Sequence, residues 1–216
     1  MSENDRLLAY IDSLNAGNTP FLDRIEEEAL KDSVPVIRRP TQSLIRFLLQ
    51  MHKPEQILEV GTAVGFSAIL MATYGPPDCR ITTIEKYEKR FPVAERNFAE
   101  SGFADRIDLQ KGDAEEILPA LAAQGKQYDM IFMDAAKGQY LHFYEQILPM
   151  MHTGSLLISD NVLQEGDIAQ SRFAVTRRNR TIHARMREYL YTLTHSQELV
   201  TDILPVGDGI ALSIRR

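Results

Sequence analysis

Along this chain the apolar positions change period several times. In "ENDRLLAYIDSL" and "TPFLDRIEEEALKDS" they recur at helical spacing. Thr19 followed by Pro20 is the expected start of the second helix, an oxygen-bearing cap and then a residue whose missing N–H costs nothing in a first turn. "VPVIRRP" reads as an extended break, and Pro40 then opens a third helix through "TQSLIRFLLQMH". Beyond it, short apolar runs alternate with amphipathic ones. "QILEVG", "RITTIE", "RIDLQKGD", "YDMIFMDA" and "GSLLISDN" read as strands. Between them lie helical stretches through "FSAILMATYG", "KYEKRFPVAERNFAESG" (Gly102 its stop), "AEEILPALAAQG" and "QYLHFYEQILPMM". The spacing predicts a long helix over 169–194. The end, "ELVTDILPVGDGIALSIRR", sets two apolar runs around Gly207-Asp208-Gly209, a hairpin signature.

Strands alternating with helices imply parallel βαβ units with right-handed crossovers, and the terminal hairpin adds an antiparallel strand. The expected fold class is therefore α/β. No repeat, low-complexity tract or linker interrupts it, so a single domain over 1–216 is expected, with a helical cap at 1–52 and a sheet core at 53–216. In such sheets ligands lie in the crevice at the carboxyl ends of the strands.

Composition narrows the field. With 44% hydrophobic and 25% charged residues in 216, the chain suits a soluble globular domain. A net charge of −6 means that any nucleic-acid site must be a local patch. The single Cys79 excludes an internal disulfide framework. "MSENDRLLAYID" lacks the basic-then-apolar pattern of a signal peptide, and no apolar run approaches the roughly 20 residues that span a bilayer, so no membrane role and a cytoplasmic location are expected.

Two apolar strands run out on oxygen-bearing side chains: "YDMIFMDAAK" on Asp134, and "LLISDNVL" on Asp160 and Asn161. Asp160-Asn161 alone would read as an Asx turn. With Asp134 at the neighbouring strand end, two carboxylates and an amide make three hard oxygen donors, suited to Mg²⁺ or Mn²⁺. The five histidines are scattered and offer no zinc spacing. The turn "LEVGTAVGFS" has Gly61 and Gly65, but Ala63 stands where the dinucleotide pattern needs its second glycine, which disfavours a diphosphate. Glu59 beside it would repel phosphate and suit an ammonium group, as in S-adenosylmethionine. Glu85 ends the second strand, where a carboxylate can accept from ribose hydroxyls, and Asp113 ends the third, placed for an adenine edge.

"EVGTAVGFS", "IEK", "GDA", "MDAAKGQY" and "SDN" resemble, in order and spacing, the cation-dependent class I O-methyltransferases, which include catechol and caffeoyl-coenzyme A O-methyltransferases. The resemblance spans nearly the whole chain. It implies a Rossmann-like, seven-stranded class I methyltransferase sheet, mostly parallel with a C-terminal antiparallel hairpin and extra N-terminal helices, acting as a homodimer on S-adenosylmethionine with a divalent cation. It implies cofactor contacts at Val36, Glu59, Gly61, Thr62, Ser67, Glu85, Asp113, Ala114, Asp134 and Tyr140, though Tyr140 could equally be core. It implies metal ligands at Asp134, Asp160 and Asn161, and catalysis by Lys137 with Asp134, in the family's D-x-x-K spacing. Lys137 would serve as general base or as electrostatic partner of the substrate oxyanion; the bland reading is a solvated helix-start lysine.

Within that family "VPVIRRPTQ" and "VTRRNRTIHARMREYL" resemble the bacterial tRNA 5-hydroxyuridine methyltransferases. The implied acceptor is the wobble base in the anticodon loop, whose hydroxyl neighbours a carbonyl as catechol's neighbours a second hydroxyl. Charge agrees: from Arg172 to Arg187 there are six arginines and no acidic residue. RNA contacts are expected at Arg38, Arg39, Arg177, Arg178 and Arg180. Against this, a basic helix face is often merely solvated, and some arginines could pair with "RIEEE". A small-molecule catechol-type enzyme is the alternative. A nucleotide-binding oxidoreductase is opposed by the missing glycine, and a non-catalytic binding module by the intact acidic set.

Overall fold

The computed structural model describes residues 3–171 and 173–216. Three helices come first, α1 (Glu3–Ser13), α2 (Pro20–Lys31) and α3 (Arg39–His52). Then strands and helices alternate: β1 (Gln56–Val60), α4 (Phe66–Tyr74), β2 (Arg80–Glu85), α5 (Phe91–Ser101), β3 (Ile107–Lys111), α6 (Ala114–Ala123), β4 (Tyr128–Met133), α7 (Tyr140–Ile147) and β5 (Met151–Ser159). The chain closes with α8 (Arg180–His195), β6 (Leu199–Leu204) and β7 (Ile210–Arg215). Thr19 caps α2, its hydroxyl accepting from the Leu22 N–H, and Gly102 ends α5 in the left-handed region (φ +76°).

The seven strands form one sheet in the order β3-β2-β1-β4-β5-β7-β6. β1 to β5 pair in parallel, and β7 lies antiparallel between β5 and β6. Strand order reverses between β1 and β4, so a crevice opens at their carboxyl ends. The pleat explains the layering. Ile57 faces a core made with Leu22, Ile25, Ile45, Leu49, Ile69 and Phe98 of α2, α3, α4 and α5. The next residue, Leu58, faces the opposite core, made with Leu118 of α6, Phe143 and Ile147 of α7, and Met186 and Tyr189 of α8. Both faces are covered, which is why the central β4 and the second half of β5 are nearly all apolar.

One expected element is corrected. The helix read over 169–194 begins at Arg180. Before it, 164–169 is a 3₁₀ segment broken by left-handed Glu165 and Gly166. The inward positions of α8 are His183, Met186, Tyr189, Leu190 and Leu193. Upstream, among the described residues of 170–179, only Val175 is buried. Without an apolar stripe to dock, the cationic stretch has nothing to offset the cost of helix formation.

Candidate active site

The crevice is assembled from strand ends. Gly61 follows β1 with φ +110°, and a Cβ there would stand 2.0 Å from the backbone oxygen of Asp134, so glycine lets two strand ends touch. Gly61 and Thr62 N–H both donate to Ile84 O. Glu85, 4% exposed, accepts from the Ala63 and Tyr87 N–H groups, each at 2.7 Å, so its carboxylate is locked at the end of β2. Asp113 is more committed locally than expected: it caps α6 by accepting from Glu115 N–H and pairs with Lys86 at 2.5 Å. The Lys86 ammonium holds its carboxyl below the usual range.

Around these groups lies a cavity of about 440 Å³. Its walls include Val36, Gly61, Thr62, Ser67, Glu85, Asp113, Ala114 and Asp134, all expected from the sequence. Two expected wall residues are elsewhere. Glu59 is fully buried behind the wall, its Oε2 accepting from the Thr83 hydroxyl, and its Oε1 meets no hydrogen-bond partner among the described residues. Burial pushes this carboxyl up to about 8, against the pull of the Ser67 and Thr83 hydroxyls. The pleat explains the miss: Val60 faces the cavity, so Glu59 points away from it. Tyr140, also expected at the cofactor, is core. Its hydroxyl lies 3.2 Å from Met133 O and 3.0 Å from Asp160 O, and the Ala135 N–H donates to it at 3.4 Å. It staples the ends of β4 and β5. Conversely, Lys86 and Tyr87 line the cavity and were missed; the aromatic directly after "IEK" was the available signal.

Asp134, on the cavity wall, meets Asp160 and Asn161 just behind it. Asn161, left-handed at φ +59°, donates its side-chain amide to Asp134 Oδ1 at 3.1 Å, while its N–H donates to Asp160 Oδ1 at 2.8 Å. Asparagine tolerates that backbone region better than most residues. Asp160 is 2% exposed. Burial, then the negative charge of Asp134, push its carboxyl up to about 7; burial raises Asp134 as well. Two crowded carboxylates reluctant to ionise, with an amide beside them, form a donor set that fits a hard divalent cation. Lys137, on the 3₁₀ turn 137–139, is one-third exposed and stands 3.7 Å from Asp208.

Comparison with known proteins identifies the family. The model of the O-methyltransferase family matches residues 12–216. The chain belongs to that family. It is 30% identical over 167 residues to a catechol O-methyltransferase of Niastella koreensis, covering 77% of this chain and 70% of that one. It is 32% identical over 178 residues to caffeoyl-CoA O-methyltransferase 1 of Eucalyptus globulus, covering 79% and 71%. Among solved structures, the O-methyltransferase TomG of Streptomyces achromogenes, in complex with SAM, superposes with a TM-score of 0.85 at 25% identity, covering 100% of this chain and 99% of that one.

Two of the arginines expected at RNA in this O-methyltransferase are tied to carboxylates. Arg38 pairs with Glu165 at 2.9 Å beside a groove that also holds Asp208, and Arg39 pairs with Glu26 of the "RIEEE" run at 3.4 Å. Arg180 lies over the Phe173 ring and donates to Val175 O. Arg177 and Arg178 are exposed and in no ion pair among the described residues. Arg172 lies outside the described residues. No described helix is long and apolar enough to cross a membrane.

Proposed function

We propose that this chain transfers a methyl group from S-adenosylmethionine to one oxygen of a vicinal oxygen pair, and that its acceptor is 5-hydroxyuridine at the tRNA wobble position. The observation that carries the reaction is the convergence of Asp134, Asp160 and Asn161 at the edge of a cavity whose far end is walled by Glu85. Glu85, its carboxylate held in place by two backbone N–H groups, is the acceptor for ribose hydroxyls. The Asp113–Ala114 start of α6 borders the adenine end. Ser67, which lines the cavity, borders the amino-acid end. Asp134, Asp160 and Asn161 would hold Mg²⁺ or Mn²⁺, which supplies the Lewis acidity that eases loss of the acceptor's hydroxyl proton. Lys137, whose ammonium stands 3.7 Å from Asp208, would take or balance the proton.

The tRNA acceptor rests on less. Among the described residues Arg177 and Arg178 are in no ion pair, in a protein of net charge −6, and Phe173, 83% exposed, offers a face on which a splayed base can stack. The curated relatives favour the second reading, a small catechol-type acceptor, through their own names. Labelled cofactor separates the two. We expect label in tRNA carrying 5-hydroxyuridine, dependent on added Mg²⁺, and loss of tRNA methylation alone in R177E/R178E. Faster transfer to catechol or caffeoyl-CoA would overturn the tRNA reading; full turnover after chelation would overturn the metal. A homodimer is the assembly we propose for the exposed Leu7, Tyr10, Phe47 and Met51 on α1 and α3, to be tested by light scattering.

A further inference from the structure

The turn joining β6 to β7 is wedged between α3 and the loop that follows Asn161. At Gly207 (φ +61°) a Cβ would come within 2.5 Å of Thr41 Oγ1 on α3. At Gly209 (φ +87°) it would come within 2.2 Å of the Leu163 side chain, two residues beyond Asn161. Val162 N–H donates to Gly209 O and Leu163 N–H to Asp208 O, both at 3.0 Å. Between the glycines sits Asp208, 7% exposed. Its Oδ1 accepts from the Glu165 N–H, and its Oδ2 lies 3.7 Å from Lys137 Nζ. Lys137 reaches it from the other strand end, three residues after Asp134.

We infer that Asp208 is a positioning residue: its carboxylate holds the Lys137 ammonium at the mouth of the acidic corner, beside the place of the acceptor oxygens. The inference rests on the reading above for what Lys137 does there. A lysine has a long, flexible stem, and without an anchor its ammonium has two poorer places to go. One is solvent. The other is the Asp134–Asp160 pair, where it would compete with the cation. Asp208 offers a third partner, and the wedged turn makes that partner immobile. The simpler role, an acceptor for the Glu165 N–H, is separable from this one. Asp208→Asn keeps an acceptor oxygen and removes the charge.

The test compares crystal structures of the wild type and D208N, with steady-state methylation beside them. In the wild type, Lys137 Nζ should lie within about 4 Å of the carboxylate, and in D208N it should have left that position. We expect kcat to fall about tenfold or more while the KM for S-adenosylmethionine holds. D208N should change little further in a K137M background, and D208E should recover part of the loss. The inference is overturned if Lys137 stays in place in D208N, if the D208N and K137M effects multiply, or if D208N fails to fold although the acceptor is kept. A wild type inactive on every vicinal-oxygen acceptor would end the functional reading instead, and the two crystal structures would still decide what holds Lys137.

Discussion

On the β1–β2 side of the crevice, ligand-facing groups are set by the sheet itself: Gly61 touches Asp134, and Glu85 is clamped by two backbone N–H groups. On the β5 side the chain leaves regular geometry at once, with left-handed backbone at Asn161, Gln164 and Glu165, and only Val175 buried among the described residues of 170–179. The first side is built to hold one ligand in one pose. The second has few buried contacts, so its sequence is free to change with the acceptor. A common cofactor and diverse acceptors are what such a division accommodates.

The sharpest way to break this contrast is at the corner where the two sides meet. Asp160→Ala or Asp134→Ala should lower methyl transfer by about a thousandfold or more, read with labelled cofactor; near-normal turnover would move the chemistry elsewhere. Next in size is a matched pair of glycines. Gly61→Ala must relieve a backbone clash at positive φ and should cost about 3–5 kcal/mol in urea unfolding. Gly166→Ala, at φ +91° with nothing within 4 Å, should cost only about 1–2 kcal/mol. Equal costs would mean the β5 side is as tightly built as the other.

Glu59 gives a smaller, pH-dependent effect. Its carboxyl is raised from 4.5 to about 8 in the fold, so the folded state binds the extra proton. Its contribution is whole below about pH 4.5, is lost as pH rises toward 8, and is gone above that. Glu59→Gln should flatten that decline, leaving the variant about 2–4 kcal/mol more stable than wild type at pH 9, in unfolding without cofactor. The smallest effect is expected from Tyr140→Phe, about 1 kcal/mol in urea, by loss of the hydroxyl that bridges β4 and β5.

The same contrast decides what the sequence could reveal. Each strand end was legible, because alternating apolar runs stop abruptly at Gly61, Glu85, Asp134 and Asp160, and the fold sends all four to one edge. Facing was less legible. Glu59 is one residue from the cavity wall, and Tyr140 carries a hydroxyl that looks equally apt for ligand or core; only packing separates those readings. Asp113 lines the cavity as expected, and its cap on α6 and ion pair with Lys86 are contacts that the strand-end pattern does not reveal. The stretch before α8 was least legible, since arginines at helical spacing extend a pattern that has no buried stripe beneath it. Asp208 passed as turn punctuation because its partner, Lys137, is 71 positions away in the chain.

On the proposed metal reading, the buried phenol of Tyr140 bears on ion choice. It fixes the interval between two carbonyls, one on each of the strand tips that end in aspartate. A large cation demanding a roomier shell would have to prise β4 from β5 and disrupt a ladder four residue pairs long beyond the bulge. Preference for a small ion over a bulky one would then be inherited from the folding of the sheet, settled before any ion arrives.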